Sequence, residues 1–244
     1  KNEVDFDLVK IDGGDKQNAI CVKCEAQVVV KNVQAFKTAL TEYFDVVKKE
    51  ISEREKDASL EICESQNGEF EVLDKKIADK LLYMLLTTPN GVIDMSAEIQ
   101  GLVETSLNLG VLRTEEKRIV MGHALRSNKK SALDFIAERM SAFAASNSCN
   151  AEFSGRYEPW EYNAVSPLRE VYIKVFEEKF GHKPKVEAIH AGLECAVFSA
   201  SIDGLDCISI GPDMFGVHTT NEKLSISSTK AMFELLCEVI GIIR

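Results

Sequence analysis

Residues 4–44 read VDFDLVKIDGGDKQNAICVKCEAQVVVKNVQAFKTALTEYF. Val4, Phe6 and Leu8 alternate with Asp5, Asp7 and Val9, the period-two signal of a half-buried strand. Gly13-Gly14-Asp15 supplies a turn, and residues 19–30 read as a second strand, so a hairpin is predicted. Asn32 then caps a helix whose apolar stripe is Val33, Phe36, Leu40, Tyr43, Phe44, Val47 and Ile51. Working outward, short strands are expected at 59–63 and 69–73. A second helix carrying Ile77, Leu81, Leu82 and Leu85 follows and is stopped by Pro89-Asn90-Gly91. Residues 101–107 and 117–125 are strand candidates, 131–145 is a helix with Phe135, Ile136, Met140 and Phe143 inward, and Glu152-Phe153 is a closing strand. This order predicts an α+β sandwich, with helices on one face of a mainly antiparallel sheet.

The style changes after residues 154–165, where turn formers and aromatics cluster (Gly155, Tyr157, Pro159, Trp160, Tyr162, Asn163) and a hinge is expected. Ser166-Pro167 opens a new helix, serine as N-cap and proline at its first position, with Leu168, Val171, Tyr172, Val175 and Phe176 inward and Gly181 at its end. A strand at 186–189, a short helix at 192–199, a strand at 206–210 and a final helix at 227–243 follow, which is α/β alternation.

Composition narrows the function classes. The 244 residues are 45% hydrophobic and 28% charged, a globular balance. A net charge of -10 argues against a nucleic-acid partner, which needs a concentrated positive face. No apolar run reaches the roughly 18 residues of a membrane span, and no signal peptide is read, so a cytoplasmic chain is expected. It begins at Lys1, so it is expected to be processed or cut from something longer. Seven scattered cysteines with mostly apolar neighbours suit buried, reduced thiols. Cys21 and Cys24 form one C-x-x-C, too little for a four-cysteine zinc site, and in a strand their side chains would face opposite ways.

Two stretches carry chemistry. In ISIGPDMFGVHT (208–219) a strand ends in Gly-Pro and leads to His218, where a ligand or catalytic base would sit beyond a strand's carboxyl end. Spacing alone leaves a surface histidine equally open. In IHAGLEC (189–195) a small-residue turn enters a helix, whose free N–H groups can meet an anion and whose glycine permits close backbone approach.

Together HAGLEC (190–195), ISIGPDM (208–214) and VHTTNEKLSISS (217–228) closely resemble the C-terminal part of bacterial aminoacyl-histidine dipeptidases, in the co-catalytic zinc peptidase superfamily. IDGGDKQNAI (11–20), GLVETSLNLG (101–110), LRSN (125–128) and SPLREVY (166–172) extend the resemblance over essentially the whole chain. It implies a cytoplasmic dipeptidase acting on Xaa-His substrates with two zinc ions. The fold is then α/β overall: an α+β lid at 1–155, a hinge at 156–165, and at 166–244 the C-terminal part of an α/β catalytic domain. The His-x-Asp motif, the bridging aspartate, the Glu-Glu pair with the general base and a further acidic ligand match nothing here. No catalytic residue is therefore expected in the chain, which by itself should be inactive and bind zinc weakly.

Residue by residue, His218 matches the last zinc ligand, Arg126 a lid arginine that meets the substrate carboxylate, and Asn18 a lid asparagine that reaches the substrate backbone. His190, Gly192 and Glu194 match the loop lining the substrate pocket. An exposed strand-end arginine is the other reading of Arg126. Cys21, Ala196 and Thr220 stand where the family commonly has proline, glycine and proline, and Tyr157-Glu158-Pro159-Trp160 replaces Tyr-Pro-Gly-Trp. His123 and His182 match no motif and are expected to be surface or packing residues. A small peptide is the implied partner, with no nucleic acid and no membrane, and the resemblance leaves room for a homodimer. The rival expectation is a non-catalytic binding or interaction fragment built on the lid.

Overall fold

The computed structural model describes residues 4–65, 69–187, 192–217 and 219–243. The chain divides into two compact units, Lys1–Asn90 with Leu107–Ala124 and Gly91–Ser106 with Leu125–Arg244. The expected hinge at 156–165 falls inside the second.

The first unit grows from the predicted hairpin. β1 (Phe6–Gly13) pairs antiparallel with β2 (Cys24–Val30), from Phe6 opposite Val30 to Gly13 opposite Cys24. β2 starts later than residue 19. Residues 15–23 form an exposed connection, several of whose carbonyls accept hydrogen bonds. Gly14 N–H donates to the Lys23 carbonyl at 3.0 Å, and the Asn108 amide donates to the carbonyls of Gln17 (2.8 Å) and Ala19 (2.9 Å).

α1 (Val33–Ile51) begins as expected, the Asn32 side chain accepting the Ala35 N–H at 3.0 Å. Phe36, Leu40, Phe44, Val47 and Ile51 are half-buried, whereas Val33 and Tyr43 are exposed. α2 (Lys75–Thr87) is capped by Asp74 and buries Ala78, Leu81 and Met84. Its inward face is turned one residue from the expected stripe, leaving Ile77 exposed. Leu8, Ala78, Leu81 and Leu112 form the core of this unit, and Phe6 meets Phe36 edge-on at 6.0 Å. Phe6 and Leu8 are two residues apart on one strand, so both helices cover the same face, as predicted.

β3 (Gly91–Met95), β4 (Val103–Thr114) and β5 (Ile119–Ser127) complete a five-stranded sheet of order β2-β1-β4-β3, with β5 on β4. β3 adds a strand to those expected, and β4 runs well past residue 107. Segments 59–63, 69–73 and 152–153, expected as strands, form none; Leu73 N–H donates to the Leu8 carbonyl at 2.8 Å, but one such bond does not make a ladder.

In the second unit α3 (Lys130–Ser146) buries Ile136, Met140 and Ala144, while Phe135, expected inward, is 66% exposed. α4 (Pro167–Phe180) has Ser166 as N-cap, proline at its start and Gly181 at φ 75° as its left-handed end. It packs on α6 (Ile226–Ile242) through Tyr172, Val175, Leu235 and Val239, with Lys179 bridging to Glu238 at 2.6 Å. Between them lie α5 (Glu194–Ser201) and a small hairpin of β6 (Met214–Phe215) and β7 (Lys223–Leu224). Residues 206–210 form no ladder. Instead Asp206 caps α4, and Ile208 packs against the α4–α6 cluster. The expected strand at 186–189 is not one at 186–187, and 188–189 lie outside the described residues. Helices with antiparallel sheets give the α/β class expected. Among the described residues no helix is long and apolar enough to cross a membrane.

Candidate functional site

The end of β5 leads into α3 through Arg126-Ser127-Asn128-Lys129. This corner is built of polar contacts. The Ser127 hydroxyl hydrogen-bonds Thr105 at 3.0 Å and accepts the Lys129 N–H at 3.1 Å. Asn128 N–H donates to the Glu104 carbonyl at 2.9 Å, and the Lys129 ammonium meets the Glu104 carboxylate at 2.8 Å. That hydrogen bond and its charge hold the Lys129 ammonium above its ordinary pKa. No side chain of the N-cap residue caps α3; the Glu161 carboxylate accepts the Lys130 N–H instead, at 3.2 Å. An anion there suits the positive end of the helix.

Arg126 is half-buried and lines a cleft of about 840 Å³ within this unit, together with Trp160, Arg169, Gly192 and Asp206. Of the charged groups in its wall, several are committed to holding the fold. Arg169 donates to the carbonyls of Asn163 and Ala164, each at 2.8 Å, and lies over the Tyr162 ring at 5.1 Å. Asp206 takes the Ser166 hydroxyl at 2.6 Å and the Leu168 N–H at 2.8 Å. Such a wall can bind and orient a small polar molecule.

Gly192 keeps its Cβ-free surface against Tyr157: a Cβ there would lie 3.1 Å from two ring atoms. Its close approach is thus to an aromatic ring of the segment before α4. Glu194 is exposed on the first turn of α5, where its charge complements the helix end, and does not line the cleft. Asn18 lies exposed in the connection of the first unit, in a turn closed by Ala19 N–H to the Lys16 carbonyl at 3.2 Å. His190 and His218 lie outside the described residues. The structure therefore brings Arg126 and Gly192 to one cleft, with Glu194 beside it in sequence only.

His123 is a packing residue, as expected: its Nε2 contacts the Thr88 hydroxyl at 3.2 Å, and burial pushes its pKa down. His182 meets Phe176 edge-on at 5.4 Å. The cysteines depart from expectation, since Cys21, Cys24, Cys63 and Cys237 are exposed. Among the described residues no group of three or more histidine, cysteine, aspartate or glutamate side chains could hold a metal ion. Asp206 and Glu161 were not marked by the sequence. Their partners lie 40 and 31 residues away, with no local pattern to reveal them.

No family model matches the chain. Over 240 residues it is 31% identical to the cytosol non-specific dipeptidase of Escherichia coli (strain K12), across 98% of this chain and 49% of that protein. Its structure matches that of the aminoacylhistidine dipeptidase of Vibrio alginolyticus with a TM-score of 0.87 and 30% identity, covering 96% of this chain and 48% of that one. The chain thus spans about half the length of the relatives it matches.

Proposed function

We propose that this chain, a homologue of cytosolic dipeptidases along nearly its whole length, is the substrate-holding half of a dipeptidase that works in the cytosol on Xaa-His and related dipeptides. What supports this most is the continuity of the likeness: it covers 98% of this chain rather than one local stretch. In this reading residues 1–155 are the lid, 156–165 the hinge and 166–244 the last part of the catalytic domain. Arg126 takes the free carboxylate of the dipeptide. Its planar fork donates two parallel hydrogen bonds to a carboxylate, a geometry lysine cannot reproduce. Asn18 reaches the substrate backbone, and the loop that carries His190 and Gly192 shapes the pocket, with Glu194 next to it at the start of α5.

Two zinc ions belong to this reading. The described residues do not fit a complete zinc site, since no metal-binding cluster occurs among them and such a site takes three or four side chains. His218 would be one ligand; the others and the general base would come from the part of the relatives that this chain does not span. No step through the metal is assigned to this chain. Its contribution is to bind and orient, which converts a loose encounter into a fixed one.

The test is hydrolysis of Ala-His and Gly-His by the full-length protein and by this chain alone. The full-length protein is expected to turn them over and to lose activity to a chelator, while the chain alone does not. A full-length protein that binds dipeptides without cleaving them favours the rival, a binding module.

A further inference from the structure

Cys21 and Cys24 are three residues apart, but they do not sit on one strand. β2 begins at Cys24, and Cys21 belongs to the connection before it. The alternation that would send the two side chains to opposite faces therefore does not apply. Gly13 is the register partner of Cys24 and carries no side chain. A Cβ placed on Gly13 would lie 3.3 Å from the Cys24 sulfur and 3.4 Å from the Cys21 sulfur. Both sulfurs thus border the same small space over the hairpin. Both cysteines are also exposed.

The connection is held in place. Gly14 N–H donates to the Lys23 carbonyl, Asn108 donates to those of Gln17 and Ala19, and the Cys21 thiol donates to the Lys23 carbonyl at 3.2 Å. The two thiols are thereby kept as neighbours in the folded chain, the condition for a fast intramolecular reaction. Partial desolvation first, then the charge of a Cys21 thiolate, pushes the Cys24 thiol up.

We propose that Cys21 and Cys24 are an oxidisable pair that closes to an intramolecular disulfide when the protein meets a hydroperoxide. The thiolate of one cysteine attacks one peroxide oxygen and the O–O bond breaks, leaving a sulfenic acid on that sulfur, while the departing alkoxide or hydroxide takes up a proton and leaves as an alcohol or water. The other thiolate then attacks the oxidised sulfur. The S–S bond forms, hydroxide leaves and takes up a proton as water. Two thiols are oxidised and one peroxide is reduced. The disulfide clamps the end of the segment that carries Asn18 to the first residue of β2, and a small dithiol reverses it.

Lys23 lies between the cysteines, which makes the bond easy to see. The protein is treated with one equivalent of hydrogen peroxide, its remaining thiols are alkylated, and it is cut with trypsin. The expected result is Gln17–Lys23 joined to Cys24–Lys31, a product lost on adding dithiothreitol. In Cys24→Ser and in Cys21→Ser that product is lost, and a dimedone adduct is expected on the cysteine that remains. The proposal is overturned if both cysteines are still fully alkylated after peroxide, or if peroxide joins either of them to another cysteine of the chain instead.

Discussion

Asp206 Oδ1 accepts the Ser166 hydroxyl at 2.6 Å, while its other oxygen takes the Leu168 N–H at 2.8 Å. Ser166 in turn accepts the Arg169 N–H at 3.1 Å and is 2% exposed. Two side chains from distant parts of the chain thus cap the start of α4 together. Asp206→Ala is expected to cost about 1–3 kcal/mol, because it leaves a buried hydroxyl and a helix N–H unpaired. Ser166→Ala should cost about 1 kcal/mol, as a lost cap does. The double variant should cost clearly less than the two together, since the pair acts as one unit. Urea midpoints of the four proteins check this; strict additivity contradicts it.

Gly14 and Gly91 both have positive φ, at 65° and 93°, but differ in room. A Cβ on Gly14 would lie 1.9 Å from the Gly110 carbonyl oxygen, whereas one on Gly91 would meet nothing within 4 Å. Gly91→Ala should therefore cost only its backbone strain, about 1 kcal/mol. Gly14→Ala adds a backbone clash and should cost well over the ~1–3 kcal/mol of a strained residue. Thermal unfolding of both variants compares them, and equal losses would refute the packing described.

His123 gives a pH dependence with a definite sign. Burial lowers its folded pKa below the ordinary 6.5. The unfolded chain then binds more protons than the folded one between the two values, so stability rises with pH there. Stability linked to His123 is complete above about pH 6.5 and is lost as the pH falls through the folded pKa. Urea midpoints from pH 7.5 down to 5 should fall less steeply in His123→Gln than in the wild type. Parallel profiles would show that His123 carries none of this effect.

Much of the fold was legible because its signals are local. The alternation of Phe6 and Leu8, the cap at Asn32 and the Ser166-Pro167 start each depend on residues within one turn or strand, and each appears where read. What the sequence hid depends on partners far away. Residues 206–210 have a strand's composition, but that alone does not form a ladder. Cys21 falls in a strand-like run, yet the Asn108 amide binds the connection before it and delays β2 to Cys24. The inward face of α2 is set by what β1 presents, with Leu8 selecting Ala78 and Leu81 over Ile77. Within the candidate site, Arg126 and Gly192 could be named from motifs, whereas Asp206 and Glu161 act over distances that no motif spans.

On the proposed reading, zinc binding should separate this chain from a protein of its relatives' full length. With no metal-binding cluster among its described residues, the chain alone should bind zinc no more tightly than about micromolar at any specific site, because one histidine is too few ligands. Calorimetry at neutral pH on the wild type, His218→Ala and Cys21→Ser should show no tight stoichiometric event. A tight site that Cys21→Ser abolishes would mean that the cysteine pair binds metal.

Arg126 is proposed to hold the substrate carboxylate, and a protein of the relatives' full length that carries this chain tests this with a dipeptide and the same dipeptide as its C-terminal amide. The wild type should strongly prefer the free acid. Arg126→Ala should lower kcat/KM for the acid by roughly 2–4 kcal/mol in transition-state terms, the scale of losing one partner of a desolvated charge pair, and should lose the preference. Arg126→Lys should restore only part of it, since a point charge cannot reproduce the fork. Metal content should be unchanged in both. If Arg126→Ala discriminates against the amide as sharply as the wild type does, Arg126 is a strand-end arginine and not the carboxylate clamp.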